Sequence, residues 1–198
     1  MTNPNPKSIG VLALQGDYEA HSNQLKMLGI NAVEVRLPKD LDGLDALILP
    51  GGESTTMDKL IDRFGLRQPL TDFCKSKPVW GTCAGMIMLS KKIEDNKSHV
   101  TPLGTLDIDV LRNGYGRQVF SFEDKIDVCL SNGTSKLAAT FIRAPKITRL
   151  GKNVKVLGRI QGDPVLIEQK NILASSFHTE LSEDTTLLNY FLTKILNG

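Results

Sequence analysis

The chain has 198 residues, 40% of them apolar and 23% charged, values that exclude wholesale disorder and collagen-like repetition. Twenty-four Lys and Arg against 22 Asp and Glu leave a formal charge of +2, too little to argue for nucleic acid or an anionic membrane as partner. No apolar run approaches the ~20 residues of a membrane span, and the first residues, Met1 to Lys7, lack the apolar core of a signal peptide, so a cytoplasmic protein is expected. A chain this long buries about 70% of its unfolded surface and needs no staples. Its three cysteines, Cys74, Cys83 and Cys129, form no Cys-x-x-Cys pair, which argues against a disulfide framework or zinc site and leaves room for one reactive thiol.

Residues 8–14 (SIGVLAL) form an apolar run of strand length, stopped by Gln15-Gly16-Asp17. A helical pattern follows, with Ala20, Leu25 and Leu28 on one face, Asp17 as N-cap and Gly29 just past the end. Residues 31–37 alternate like a strand, and 45–49 (DALIL) read as a buried strand closed by Pro50-Gly51-Gly52. Helices are predicted over 54–64 and 66–75, with Pro69 in the first turn of the second. A short strand over 78–80 leads to a helix over 84–91. This β-α-β-β-α-β-α rhythm of buried strands predicts an α/β fold: a three-layer arrangement with a mostly parallel central sheet flanked by helices. Between Gly104 and Phe177 the pattern changes to short β segments at 105–111, 118–122, 126–129, 137–142, 154–160, 164–169 and 172–176. These predict extra, partly antiparallel strands appended to the sheet. An amphipathic helix over 185–196 ends the chain, and with no repeat or linker in sight one domain over 1–198 is expected.

The chemistry concentrates in Gly81-Thr82-Cys83-Ala84-Gly85. A Gly-x-nucleophile-x-Gly pentapeptide between a buried strand and a helix is the nucleophile-elbow pattern, here with cysteine. A side chain at either flanking glycine would collide with the neighbouring strand or helix. The turn would lift Cys83 to the carboxyl edge of the sheet, where open α/β folds bind ligands, and to a helix N-terminus that favours thiolate. A lone free cysteine is usually a small buried residue, and Cys74 and Cys129 keep that reading. The thiolate needs a base. His178 follows the apolar segment ILASS, again at a strand's carboxyl end, and Glu180 two residues on projects to the same side of an extended chain. His21 and His99 have no acidic neighbour at this spacing. A zinc-deaminase reading of His-x-Glu lacks the Pro-Cys-x-x-Cys it requires. Cys83, His178 and Glu180 are therefore the candidate triad. Pro50-Gly51-Gly52-Glu53 follows a strand and opens a helix, so its N–H groups, with that of Ala84, are candidate oxyanion donors. No Gly-Lys-Ser/Thr follows to make it a phosphate loop. Arg112, before an Asn-Gly turn, and Arg143, before Ala-Pro, offer guanidinium forks suited to a carboxylate.

LALQG (12–16), LPGGEST (49–55), GTCAGM (81–86), RNGYGRQ (112–118), FIRAP (141–145) and FH-x-EL (177–181) together resemble the class I glutamine amidotransferases. More narrowly, the chain resembles the glutaminase subunits of pyridoxal 5′-phosphate synthases, over nearly its whole length and with the motifs in the same order. The resemblance implies a flavodoxin-like sheet, Cys83 as nucleophile, and His178 with Glu180 as base and orienting partner. Gly51, Gly52, Glu53, Arg112, Ile142 and Arg143 match glutamine-binding positions. L-glutamine is then the substrate, a separate (β/α)8-barrel synthase subunit takes up the ammonia as a hetero-oligomeric partner, and no cofactor or metal is implied. Threonine at 179 stands where the family usually has proline, which would stiffen that turn. Two rival readings stay open on the residues: a glutaminase subunit serving another pathway, and a non-catalytic binding module on the same fold.

Overall fold

A computed structural model describes residues 7–114, 121–131 and 133–196. Among these residues the larger sheet has nine strands in the spatial order β2-β1-β3-β4-β12-β11-β10-β7-β8. β1 (Ser8–Leu12), β2 (Asn31–Val35), β3 (Ala46–Leu49), β4 (Val79–Thr82) and β12 (Ile172–Ser175) are parallel. β11 (Asp163–Gln169), β10 (Lys155–Ile160), β7 (Ser121–Leu130) and β8 (Gly133–Ile142) extend it antiparallel. Sequence composition explains the division. β3, β4 and β12 are buried at every residue, as strands covered on both faces must be. In β7 and β8 burial alternates along the part nearest the core, the pattern of a sheet with one wet face. The expected segment 118–122 lies partly outside the described residues, and 121–122 and 126–129 belong to the single long strand β7.

Helices cover both faces. α2 (Ser54–Arg63), α3 (Arg67–Ser76) and α4 (Ala84–Leu89) pack Met57, Ile61, Leu70 and Met86 into one apolar cluster. α1 (Tyr18–Met27) and α5 (Thr186–Leu196) pack Leu25, Leu187 and Phe191 into the other, on the opposite face, around Trp80 and Phe141. Pro69 sits in the first turn of α3, where a missing N–H costs nothing.

Three expectations need correcting. The helix predicted over 84–91 ends at Leu89, because residues 90–93 form the strand β5 (Ser90–Ile93). β5 joins β6 (Leu106–Leu111) and β9 (Lys146–Leu150) in a separate three-stranded sheet that sequence patterning missed. Two of its three strands are short and only partly buried, so neither alternation nor an apolar run marks them. The inner face of α1 is also not the apolar stripe expected: Leu28 is 37% exposed and Ala20 only half-buried, while His21, Ser22 and Gln24 are buried beside Leu25. The helix does end as read, with Gly29 in the left-handed region at φ 71°.

Candidate active site

The carboxyl ends of β1, β3, β4 and β12 open on one edge of the sheet, next to the point where β1 passes between β2 and β3. Ligands bind such edges in open α/β folds because adjacent connections leave in opposite directions and part there. A cavity of about 590 Å³ lies at this edge, lined by Asp17, Gly52, Glu53, Ser54, Thr55, Cys83, Ile87, Ser98, Arg112, Asn113, Ile142, Arg143 and His178.

Cys83 follows β4 directly and caps α4, with φ 46° and ψ −101°. Positive φ on a residue with a Cβ is strain, held here by the surrounding backbone. Its N–H donates to Ser175 O of β12 at 2.8 Å, and its carbonyl accepts from Ile87 N at 3.1 Å inside α4. The flanking glycines are steric requirements. A Cβ on Gly81 would lie 2.6 Å from Leu89 Cδ1, and one on Gly85 would overlap the backbone oxygen of Leu49. The thiol is 5% exposed, and Sγ contacts Ile142 O at 3.8 Å. Cys74, by contrast, is buried among apolar groups, and desolvation pushes its thiol up to about 12, while Cys129 is exposed.

His178 stands just beyond β12, where Phe177 is fully buried beside Phe141 and leaves the next side chain facing the cavity. A β-bridge to Thr140 fixes its backbone, with His178 N donating to Thr140 O at 2.8 Å. His178 Nδ1 lies 2.6 Å from Glu180 Oε1, the contact expected from the i, i+2 spacing, and it forms with threonine at 179. Asp17 Oδ2 is 3.6 Å from the same nitrogen. Burial opposes charge on His178, yet hydrogen bonds and attraction from Cys83 and Glu180 outweigh it and push the imidazole up to about 10. Glu180 is likewise held below the ordinary carboxylate range: burial works against its charge, and His21 and His178 more than offset that.

The other predicted residues divide. Gly51, which does not line the cavity, lacks a side chain because the His178 ring occupies the space a Cβ would fill. Its carbonyl accepts from Asp17 N at 3.3 Å. Gly52, at φ 139°, lines the cavity beside Gln15. Glu53 lines it too, but spends its carboxylate as N-cap of α2, accepting from Thr55 N at 3.0 Å and Thr56 N at 2.7 Å. Gln15 Oε1 accepts from Glu53 N at 3.0 Å. Ala84, fully buried, opens α4 behind the thiol. Arg112 is positioned by the small sheet: it follows β6, its N–H donates to Asp95 Oδ1 at 3.0 Å, and Nη1 and Nη2 donate to Thr55 Oγ1 and Ser98 Oγ, each at 3.2 Å. Ile142 ends β8, and Arg143 turns away at φ 46°, exposed at the cavity rim. Of RNGYGRQ only residues 112–114 are among those described.

Sequence reasoning missed Asp17, Ser98, Asn113 and His21. No acidic residue stands two positions after His21, so the spacing gives it no role, yet its Nε2 lies 3.5 Å from Glu180 Oε1. No spacing signal reveals it, because the two residues meet only when α1 packs on the sheet.

Comparison with known proteins places this fold among the glutamine amidotransferases. A crystal structure described as a glutamine amidotransferase matches with a TM-score of 0.88 at 47% identity, covering 94% of this chain and 98% of that one. The chain belongs to the SNO glutamine amidotransferase family, whose model matches residues 11–197. Among curated relatives, pyridoxal 5′-phosphate synthase subunit PdxT of Dehalococcoides mccartyi (strain ATCC BAA-2100 / JCM 16839 / KCTC 5957 / BAV1) is 48% identical over 188 residues, covering 93% of this chain and 95% of the relative. The subunit of the same name from Thermosipho africanus (strain TCF52B) is 47% identical over 189 residues, covering 94% and 98%.

Proposed function

We infer that this chain is the glutaminase subunit of a pyridoxal 5′-phosphate synthase, which hydrolyses L-glutamine to L-glutamate and ammonia and passes the ammonia to a synthase subunit. The observation that carries the reading is a cysteine on a strained elbow in the same cavity as an imidazole bonded at 2.6 Å to a buried carboxylate, in a chain whose relatives bear that subunit's name.

Our reading of the chemistry is acyl transfer through a covalent intermediate. Cys83 thiolate attacks the side-chain amide carbon of glutamine, and the carbonyl electrons move to oxygen. Backbone N–H groups around Gly51, Gly52 and Ala84 receive that oxyanion. The His178 imidazolium gives its proton to the departing nitrogen, the C–N bond breaks, and ammonia leaves a glutamyl thioester. Neutral His178 then takes a proton from water, whose oxygen attacks the thioester; collapse releases glutamate and restores the thiolate–imidazolium pair. Glu180 holds the ring through Nδ1 and stabilises its charge. Arg112 and Arg143 take the α-carboxylate, Ile142 packs on the substrate's stem, and Glu53 holds the loop through its cap.

The partner on this reading is a (β/α)8-barrel synthase subunit, which keeps ammonia from becoming ammonium in bulk water. The chain is read as one glutaminase domain over 1–198, acting in the cytoplasm; its three free cysteines suit a reducing compartment. Among the described residues no helix is long and apolar enough to cross a membrane.

The deciding experiment is glutamate release from glutamine, with and without saturating barrel subunit, together with covalent trapping by a glutamine-like electrophile. Release that rises with the synthase and a label on Cys83 are expected. No release in either condition, or a label elsewhere, overturns the reading.

A further inference from the structure

The inner face of α1 is chemically odd. Three of its four buried residues, His21, Ser22 and Gln24, are polar, and burying polar groups is costly unless they find partners. Two of them do, and both reach the segment that carries His178 and Glu180. Gln24 Nε2 donates to Thr179 O at 3.3 Å and to Ser182 O at 3.0 Å. His21 Nε2 lies 3.3 Å from Thr82 Oγ1, one residue before Cys83, and 3.5 Å from Glu180 Oε1. The His21 ring is 1% exposed and held edge-on to Trp80, with centroids 5.5 Å apart and planes at 80°.

Glu180 needs such a neighbour. Its side chain is wholly buried, His178 Nδ1 bonds Oε1, and Oε2 has no hydrogen-bond partner among the described residues. A buried carboxylate with one donor is free to pivot about it and poorly compensated for lost water. Asp17, 3.6 Å from the same His178 Nδ1, brings a like charge close to Glu180 and so offers no help.

We propose that His21 is a positioning residue of this active site, its Nε2–H facing Glu180 Oε1 from behind so that the carboxylate stays ionised and aimed at His178. A carboxylate only accepts, so the proton of His21 belongs on Nε2. Nδ1, which has no partner among the described residues, is then a bare lone pair, cheaper to bury than an unpaired N–H. The line of contacts runs Trp80 and Thr82, His21, Glu180, His178, Cys83, and it ties the orienting carboxylate to the strand that carries the nucleophile. His21 touches no reacting atom.

The proposal rests on the glutaminase reading, and the test separates the two. Full-length chain with saturating barrel subunit is assayed for kcat and KM toward glutamine as wild type, His21→Leu, His21→Gln, Glu180→Gln and His21→Leu/Glu180→Gln, each checked for folding by circular dichroism and thermal melting. Loss of a polar contact to a buried charged group should make His21→Leu about ten-fold slower in kcat with KM within about two-fold of wild type. Glutamine places an N–H near the same point and should recover kcat to within about three-fold. Because His21 acts through Glu180, the leucine change should cost nothing further once Glu180 is glutamine. Wild-type kcat in His21→Leu, a full additive loss in the double variant, or a glutamine variant as slow as leucine each overturns it. Should the leucine variant not fold, the glutamine variant and heteronuclear NMR of the wild-type histidine rings decide. A proton found on Nε2 of His21 supports the proposal; one found on Nδ1 alone sinks it. That spectrum needs no turnover, so an inactive wild type defeats the glutaminase reading without touching it.

Discussion

The two halves of the candidate site are built in opposite ways. The thiol side is legible in one short stretch: five consecutive residues from Gly81 to Gly85 set the turn, the strain and the helix start, with Leu49 of β3 and Ser175 of β12 as its packing and hydrogen-bond neighbours from outside. The imidazole side is assembled from a distance. Residues 177–182 are held by Thr140 in β8, by Gln24 and His21 in α1, and by the Phe177–Phe141 contact. A strained turn encoded by its own glycines tolerates little change, whereas a segment held by several remote partners loses function by degrees as each is removed.

Substitutions can break this contrast. The largest effect is expected for Cys83→Ala, which should take glutamate release below about one part in 10³ of wild type while leaving the melting temperature nearly unchanged. Near-normal turnover would remove Cys83 from the mechanism. His178→Asn should follow, with a loss on the order of 10²–10⁴ in kcat. Glu180→Gln keeps shape and removes charge without deleting the base, and should cost less than His178→Asn. If the glutamate change proved the more damaging, its orienting role would be wrong.

Gly85→Ala probes the local half through stability instead. The added Cβ meets the Leu49 carbonyl, backbone that cannot swing aside, so unfolding in urea should come earlier by about 1–3 kcal/mol. An unshifted midpoint would mean that the elbow relaxes more easily than its packing implies.

The smallest effect concerns pH. In the folded chain Cys83 and Glu180 push the His178 imidazole up to about 10, from 6.5 for a free imidazole. Its folded value is the higher one, so the stability it contributes is whole below 6.5 and is lost as pH rises toward about 10. Glu180 runs the other way: its folded value is depressed, so its contribution is present above the ordinary 4.5 and lost as pH falls through and below that value. Melting temperature should therefore fall between pH 6.5 and 10 more steeply in wild type than in Glu180→Gln, where the imidazolium keeps Cys83 but has lost the Glu180 carboxylate. Parallel curves would mean that this pair adds nothing to stability.

What the sequence determined by itself was whatever local rules control. Fully buried strands read as apolar runs, so the parallel half of the sheet was legible from DALIL and ILASS. The elbow was legible because glycine, cysteine and glycine at fixed spacing follow a strand, and the Glu180–His178 contact because alternate residues of an extended chain share a side. Tertiary structure alone decided the rest. The small sheet that positions Arg112 forms because β9 returns to β6, a pairing across 40 residues between Asp109 and Arg149 that no window of sequence contains. The polar face of α1 looks like a fault in a helix read for its apolar stripe; its purpose appears only where folding sets His21 against Glu180, residues 21 and 180 of the chain. Side-chain partners that distant leave no periodic trace, since either can be any residue that fits once the backbone has brought them together.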